Sequence, residues 1–273
     1  MQKLQVDDLK GVSETLLIPL HYRVQESEMG SSSYKDDVAE RFHDAIDYEW
    51  EKFQGSSSLL QRLGIVSRTA ILDDQVKAFI ASNPEGLIVN LGAGLDTRFH
   101  RFDNGKIEWI ELDLPDVIAF RQKLREPTNP RHIFLAASVL DDHWLSRVKR
   151  HADARVLLIA EGLFPYFTEE QHREVFKRLA DNFPGQEMLF QTSAPSIMGG
   201  FVQHSALPKL RTNADLQWGL EESTQVSSLN PKVQFICEFP LLTDYEKLPL
   251  QVRQRISPEQ LRKAAKIVRV RFA

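Results

Sequence analysis

Leu87-Ile88-Val89-Asn90-Leu91-Gly92-Ala93-Gly94-Leu95-Asp96-Thr97-Arg98-Phe99 is the stretch from which the rest of the chain can be read. Its first five residues are mostly aliphatic, as a strand buried on both faces requires. Gly92 and Gly94 then permit a sharp turn and a close backbone approach that side chains would obstruct. Asp96 or Thr97 can cap a helix starting immediately afterwards. Strand, glycine turn and capped helix together are how an α/β domain opens a crevice for a nucleotide-like ligand.

A dinucleotide site is the first rival. It wants a third glycine three positions after Gly94, where this chain has Thr97. It also wants bare amides and a positive helix end for the pyrophosphate, and Asp96 beside the turn would repel that group. A carboxylate there suits a ligand carrying an ammonium group and no phosphate. S-adenosylmethionine, with its adenosine, sulfonium and amino acid, is such a ligand.

At 273 residues the chain has room for one large domain or a core with an added cap, and 42% hydrophobic with 26% charged residues is ordinary for a globular protein. A net charge of -4 argues against a nucleic-acid partner held through its phosphates. The lone Cys237 excludes an intramolecular disulfide and is expected as a buried strand residue. No Cys/His grouping at zinc spacing appears, so no metal site is expected. Met1 to Gly11 lacks the apolar core of a signal peptide, and no apolar run approaches the roughly 20 residues needed to span a bilayer. The expected location is cytoplasmic, with no membrane partner. Nothing in the sequence specifies an oligomeric state.

Residues 1–84 lack the turn–strand rhythm of a sheet and read as an N-terminal helical cap. Pro19, inside Leu16-Leu17-Ile18-Pro19-Leu20, argues against a long continuous helix there. Tyr34 to Asp37 opens a helix running through Arg41 and Ile46. A further helix carrying Ile71, Val76, Phe79 and Ile80 should stop near Asn83-Pro84. Residues 85–273 read as the α/β core. After Leu87–Leu91, strands are expected at Ile107–Asp113, His132–Ala136, Arg155–Ala160, Glu187–Gln191, Val233–Phe239 and Ile267–Phe272. Helices fall between them: Pro115 suits a first helical turn, and Thr168-Glu169-Glu170-Gln171 has capping-box character. Seven strands in this alternation predict a mostly parallel, Rossmann-like sheet covered on both faces. The irregular insertion from about 193 to 217 follows the fifth strand and reads as a lid, with Gly199-Gly200 as its pliable point and Phe201, Val202 and Leu207 as apolar cover.

Ligands in such sheets bind beyond the carboxyl ends of the strands. That rule selects the Gly92–Gly94 turn, the end of the second strand, Ser138-Val139 and Glu161. Glu111 and Asp113 stand 19 and 21 positions after Gly92, where an acid taking two ribose hydroxyls is expected. Asp113 closes the alternating run and is preferred, which leaves Glu111 as a solvated loop acid.

Gly92-Ala93-Gly94-Leu95-Asp96-Thr97-Arg98, Glu111-Leu112-Asp113-Leu114-Pro115 and Ala160-Glu161-Gly162-Leu163 resemble, in order and spacing, the leucine carboxyl methyltransferase family. The bacterial, TcmP-like branch of polyketide O-methyltransferases is most similar. Thr15 to Leu20, Arg23 and Asp36 resemble its N-terminal signature, and Ser138-Val139-Leu140 leading to Trp144 does so too. The resemblance runs from roughly Ser13 to Phe239. It implies an S-adenosylmethionine-dependent O-methyltransferase whose acceptor is a small molecule, polyketide-like and often a carboxylate. It also implies roles. Arg68 would meet the methionine carboxylate of the cofactor, aided by Arg23 from the cap. Gly92, Ala93 and Gly94 would lie along methionine and ribose, and Asp113, with Leu114 beside it, would take the ribose hydroxyls. Ser138 and Val139 would flank the adenine where phosphatase-methylating relatives have Asp-Leu. Glu161 would face the amino or sulfonium end. Such a zwitterion with an extra positive charge asks for an arginine and nearby acids, which Arg68, Asp96 and Glu161 supply.

A carboxylate acceptor needs no general base, being ionised near pH 7. A phenol would gain from one; Tyr166 and His204 are the candidate catalytic residues, although Tyr166 and Phe164 also read as core aromatics. Three other readings compete: a methyltransferase of a protein C-terminal carboxylate, a non-catalytic S-adenosylmethionine-binding module and a nicotinamide dehydrogenase.

Overall fold

The computed structural model describes residues 3–29, 34–53, 58–126, 128–148, 154–198, 205–211, 215–248, 250–254 and 256–273. Seven strands, β1 (Leu87–Leu91), β2 (Glu108–Asp113), β3 (His132–Ala136), β4 (Val156–Ala160), β5 (Glu187–Thr192), β6 (Val233–Pro240) and β7 (Lys266–Phe272), form one sheet in the order β3-β2-β1-β4-β5-β7-β6. The first five pair in parallel, and β7 runs antiparallel between β5 and β6. This is the expected Rossmann-like class. β1 lies inside the sheet between β2 and β4, and all five of its residues are buried, at about 1.5–3 kcal/mol for each large aliphatic side chain. The chain runs from β1 outward to β3 and returns with β4 on the other side of β1. Strand order therefore reverses between β1 and β4, and a crevice opens at their carboxyl ends.

Ahead of the sheet come α1 (Leu17–Met29), α2 (Asp37–Ala45) and α3 (Ser58–Ser82). Asp36 caps α2, its carboxylate accepting the Ala39 N–H at 3.0 Å. Leu17, Ile18 and Leu20 of α1 pack with Leu95 of the glycine turn, Ala206 of the insertion, and Val117 and Phe120 of α5 (Pro115–Lys123), which lies between β2 and β3. One hydrophobic cluster thus ties the N-terminal helices to the sheet's binding edge. α3 covers the other face with Leu72 and Val76 against Ile88, Trp109 and Ile159.

Several local expectations change. Pro19 interrupts nothing: it is the third residue of α1, in the first turn, where a missing N–H breaks no intrahelical bond. The helix after the glycine turn, α4 (Arg98–Phe102), is only five residues long. Thr97 occupies its N-cap position without capping it, since its hydroxyl donates to Asp36 at 2.6 Å; Asp96 accepts the Arg98 N–H instead, at 2.7 Å. Glu111 is not a solvated loop acid but is wholly buried inside β2. Cys237 is half-buried on the edge strand β6, beside a bulge, rather than a core residue. The close approach at Gly92 is made by protein: a Cβ there would lie 2.9 Å from Leu163 Cδ1, and its φ of +67° favours glycine in any case.

Candidate active site

The carboxyl ends of β1, β2, β4 and β5 and the loop after β3 open into one cavity of about 300 Å³. Arg23, Arg68, Gly92, Ala93, Gly94, Asp96, Asp113, Leu114, Ser138, Val139 and Glu161 all line it, although they come from six separate stretches of chain. Tyr166 lines it too, whereas Phe164 is fully buried in the core. Ser193, Ser205, Leu207 and Leu216 bring the insertion to its wall. The Ala206 N–H donates to Gln61 of α3 at 2.8 Å, and the Gln217 N–H to the Pro165 carbonyl at 2.7 Å. Gly199, Gly200, Phe201, Val202 and His204 lie outside the described residues.

The backbone of the glycine turn is fully engaged. The Gly92 and Ala93 N–H groups donate to the Leu112 carbonyl at 2.8 and 3.1 Å, and the Gly94 N–H to Asp113 Oδ2 at 2.6 Å. No cradle of bare amides remains in Gly92-Ala93-Gly94 for a pyrophosphate, and this argues against the dinucleotide reading. Asp113, at the end of β2, also accepts the Leu114 N–H at 2.7 Å. Burial nonetheless outweighs these two bonds and pushes its carboxyl up to about 6.

Behind the turn lies a buried ion network. Arg98 Nη1 is 2.5 Å from Asp96 and 2.6 Å from Glu161, while its Nε is 2.8 Å from Asp73 of α3. Arg68 Nε is 2.7 Å from the other Glu161 oxygen, and its Nη1 donates to Gln191 of β5 at 2.6 Å. Arg101 pairs with Asp73 and lies 3.6 Å from Asp36. Arg23 is 3.4 Å from Asp36 and donates to Leu95 O at 2.7 Å and Thr97 Oγ1 at 2.9 Å. Burial alone would raise the carboxyls of Asp96 and Glu161. The arginines reverse this: Arg98 and Arg23 hold Asp96 well below its ordinary value, and Arg68 and Arg98 hold Glu161 down. Tyr166 has its phenol pushed up by burial, so it stays protonated at neutral pH.

Asn90 and Gln191 are among the wall residues that were not singled out from the sequence. Asn90 sits mid-strand in β1, donating to Asp96 at 2.9 Å and to Glu111 at 3.0 Å; its carbonyl Oδ1 is buried without a partner. A polar residue inside Leu87–Leu91 was the available signal. Gln191 carried none, since its importance comes only from Arg68 across the sheet.

Residues 19–180 match the leucine carboxyl methyltransferase family, more than half of the chain. The chain belongs to that family. The tetracenomycin polyketide synthesis O-methyltransferase TcmP of Streptomyces glaucescens is 30% identical over 271 residues, covering 97% of this chain and 98% of the relative. An S-adenosyl-L-methionine-dependent methyltransferase of Gibberella zeae is 25% identical, covering 88% and 86%. Among solved structures, a Thermobifida fusca protein assigned as a methyltransferase superposes with a TM-score of 0.60 over 98% of this chain and 96% of its own, at 11% identity, a likeness of fold. The protein is therefore an S-adenosylmethionine-dependent methyltransferase. Its cavity fits that cofactor chemically. The orphaned Asn90 oxygen and the acids suit an ammonium group, Arg68 suits a carboxylate, Asp113 suits ribose hydroxyls, and the Gly92, Ala93 and Gly94 amides are not free for a phosphate. Among the described residues, no helix is long and apolar enough to cross a membrane.

Proposed function

We propose that this chain methylates a carboxylate oxygen, with a hydroxyl oxygen as the lesser alternative, of a small, apolar, polyketide-like acceptor. The supporting observation is the state of the cavity's ionisable groups. Asp96 and Glu161 are locked in arginine pairs, Asp113 is held by backbone amides, and Tyr166 is a protonated phenol. Asp96 and Glu161 accept from arginines, Asp113 accepts from two amides on the proposed ribose side, and the Tyr166 phenol keeps its own proton, so each of these four groups is already committed and an acceptor oxygen finds no free base among them. An acceptor that arrives ionised needs no such base.

S-adenosylmethionine supplies the electrophilic methyl when bound. The chain's own residues orient and enclose. Asp113 and Leu114 take the ribose side, Ser138 and Val139 the adenine, and Gly92, Ala93 and Gly94 line the path between. Arg68 and Arg23 face the amino-acid carboxylate, and Asn90, Asp96 and Glu161 face its ammonium. Leu16, Ile18, Ile65, Phe167, Leu207 and Leu241 make the remaining wall apolar, which fits a ring-bearing acceptor and excludes water. The oxygen nucleophile displaces the thioether, so catalysis consists of alignment at about 3 Å. In this reading residues 1–84 act as a helical cap on the core of residues 85–273, and the insertion from 193 to 217 closes as a lid. Tyr166 donates to the acceptor.

Methyl transfer from radiolabelled cofactor to small aromatic acids, phenols and peptides ending in leucine tests the proposal. Aromatic acids should turn over fastest. Turnover confined to peptides would favour the protein-carboxylate reading. Turnover confined to phenols and lost in His204→Ala would favour a base on the insertion.

A further inference from the structure

A second grouping of chemistry-bearing side chains lies outside the cofactor cavity, at the β3 edge of the sheet. His100 of α4, Glu126 just after α5 and His132 at the start of β3 converge so that one ligand atom of each lies within 4.8 Å of the others. His100 Nε2 is 2.8 Å from Glu126 Oε2, and His132 Nδ1 is 3.9 Å from that same oxygen. The side chains of Glu126 and His132 are 6% and 1% exposed.

The protonation of His132 follows from its partners. Its Nε2 lies 3.2 Å from Glu111 Oε1, and an ionised carboxylate can only accept, so the ring proton belongs on Nε2. Nδ1 is then a bare lone pair. It is buried with no hydrogen-bond partner, and the atom it approaches, Glu126 Oε2, is another acceptor. A proton on Nδ1 would not resolve this, because 3.9 Å is beyond hydrogen-bond reach. Glu126 Oε2 already has His100 and Arg121 as partners, so the unsatisfied buried group is His132 Nδ1, unless a cation lies between it and that oxygen.

The surroundings suit a metal ion. Ligand distances of about 2.0–2.2 Å place neighbouring tetrahedral ligand atoms about 3.3 Å apart, and the observed 2.8 and 3.9 Å bracket that span. The His132 ring is fixed by stacking on Phe99, with centroids 4.2 Å apart, and meets His100 edge-on. Arg121 Nε donates to the other Glu126 oxygen at 2.5 Å and its Nη2 reaches Oε2 at 3.3 Å, so the guanidinium holds the carboxylate in place with Oε2 turned toward the two histidines. The Glu111–His132 contact is the carboxylate–histidine pairing that orients a metal-bound imidazole. A surface cavity of about 400 Å³, lined by Gln122, Glu126, Thr128 and His132, gives access.

We propose that His100, Glu126 and His132 bind one divalent cation of the zinc type through two imidazole nitrogens and one carboxylate oxygen, with water in the fourth position. None of the three ligands lines the cofactor cavity, so the cation would brace the fold rather than act on the acceptor. Arg121, which braces Glu126, also donates to the carbonyls of Gly94 at 3.0 Å and Asp96 at 2.5 Å. A bound cation would therefore stiffen the β3 edge and the glycine turn together. The spacing of residues 100, 126 and 132 is unlike a zinc motif in sequence, because α4, the end of α5 and β3 bring them together only in the fold.

Chelator-treated full-length protein should take up one equivalent of Zn²⁺ by calorimetry and gain thermal stability. Loaded with Co²⁺ instead, it should show a visible ligand-field band. His100→Ala and Glu126→Gln should each weaken Zn²⁺ binding by at least tenfold and abolish the stability gain, while His43→Ala on α2 should leave both unchanged. Absence of stoichiometric uptake and of the Co²⁺ band in the unaltered chain would overturn the proposal, as would wild-type affinity in both His100→Ala and Glu126→Gln. The Co²⁺ spectrum decides the matter even if the variants fail to fold.

Discussion

Cofactor affinity should depend on pH through Asp113, and the size of the effect can be worked out. Burial raises its carboxyl to about 6 despite the Gly94 and Leu114 amides that favour the charged form. In the ligand-free protein the carboxyl is therefore protonated below that value. A ribose diol seated on Asp113, as proposed, would donate hydrogen bonds to it, so the bound state should favour the ionised acid and binding should release a proton as pH falls toward 5. Apparent affinity scales with the fraction of protein in the competent form. With a value near 6, that fraction is about 0.1 at pH 5 and close to 1 at pH 7.5, so the apparent Kd should be about tenfold larger at pH 5. The same shift has a stability sign: the folded value lies above 3.8, so its contribution is present below about 4 and lost as pH rises through about 6. Calorimetry in buffers of differing ionisation enthalpy would measure both the affinity and the proton release. Asp113→Asn should bind more weakly at neutral pH, by roughly 1.5–3 kcal/mol for a lost charged hydrogen bond, and should show a flat profile. An equally flat profile in the unaltered protein, or an unchanged slope in Asp113→Asn, would refute the reasoning.

Glu161→Gln leaves Arg68 and Arg98 short of a shared buried anion and should lower stability by about 3 kcal/mol in denaturant titrations; a loss below about 1 kcal/mol would mean that Asp96 and Asp73 suffice alone. Gly92→Ala should cost about 1–2 kcal/mol for left-handed backbone and a further 1–3 or so for displacing Leu163. The double variant with Leu163→Ala should recover the packing part, and strict additivity of the two single changes would show that Leu163 is not the obstacle. Tyr166→Phe should slow turnover by no more than about tenfold, the value of one neutral hydrogen bond; a thousandfold loss would make the phenol a proton-transfer group.

Much of the fold was legible because its decisive residues are locally redundant. Leu87–Leu91 is apolar, strand-length and bounded by glycines, and Thr168 with Gln171 forms the capping box that their spacing suggests. That the eleven cofactor candidates share one cavity could be foreseen because the carboxyl-end rule and the family motif select the same strand ends. What was not legible depends on partners distant in sequence. Glu111 reads as a loop acid until Asn90, Arg121 and His132 close around it. Arg98 belongs to the motif, yet nothing local shows that Asp73 and Glu161, 25 residues before it and 63 after it, share its charge. Pro19 misleads for the opposite reason: its effect depends on where the helix starts, which sequence spacing does not fix.

The ion network also bears on how the site could tell cofactor from product. Four arginines, Arg23, Arg68, Arg98 and Arg101, interleave with four carboxylates, Asp36, Asp73, Asp96 and Glu161. Their charges cancel, so the network can be buried without a net field while its outermost members still face the cavity. Asp113 stands apart from it and adds one negative charge once ionised, above about pH 6. S-adenosylmethionine carries an ammonium, a carboxylate and a sulfonium, a net charge of +1, whereas the thioether left after methyl transfer carries none. An ionised Asp113 added to that neutral network therefore favours the cationic reactant over the neutral product. This preference should fade in Asp113→Asn, measured as the ratio of S-adenosylmethionine to S-adenosylhomocysteine affinity by calorimetry, because that substitution removes the added charge and leaves the neutral network intact; an unchanged ratio would show that Arg121 already offsets Asp113.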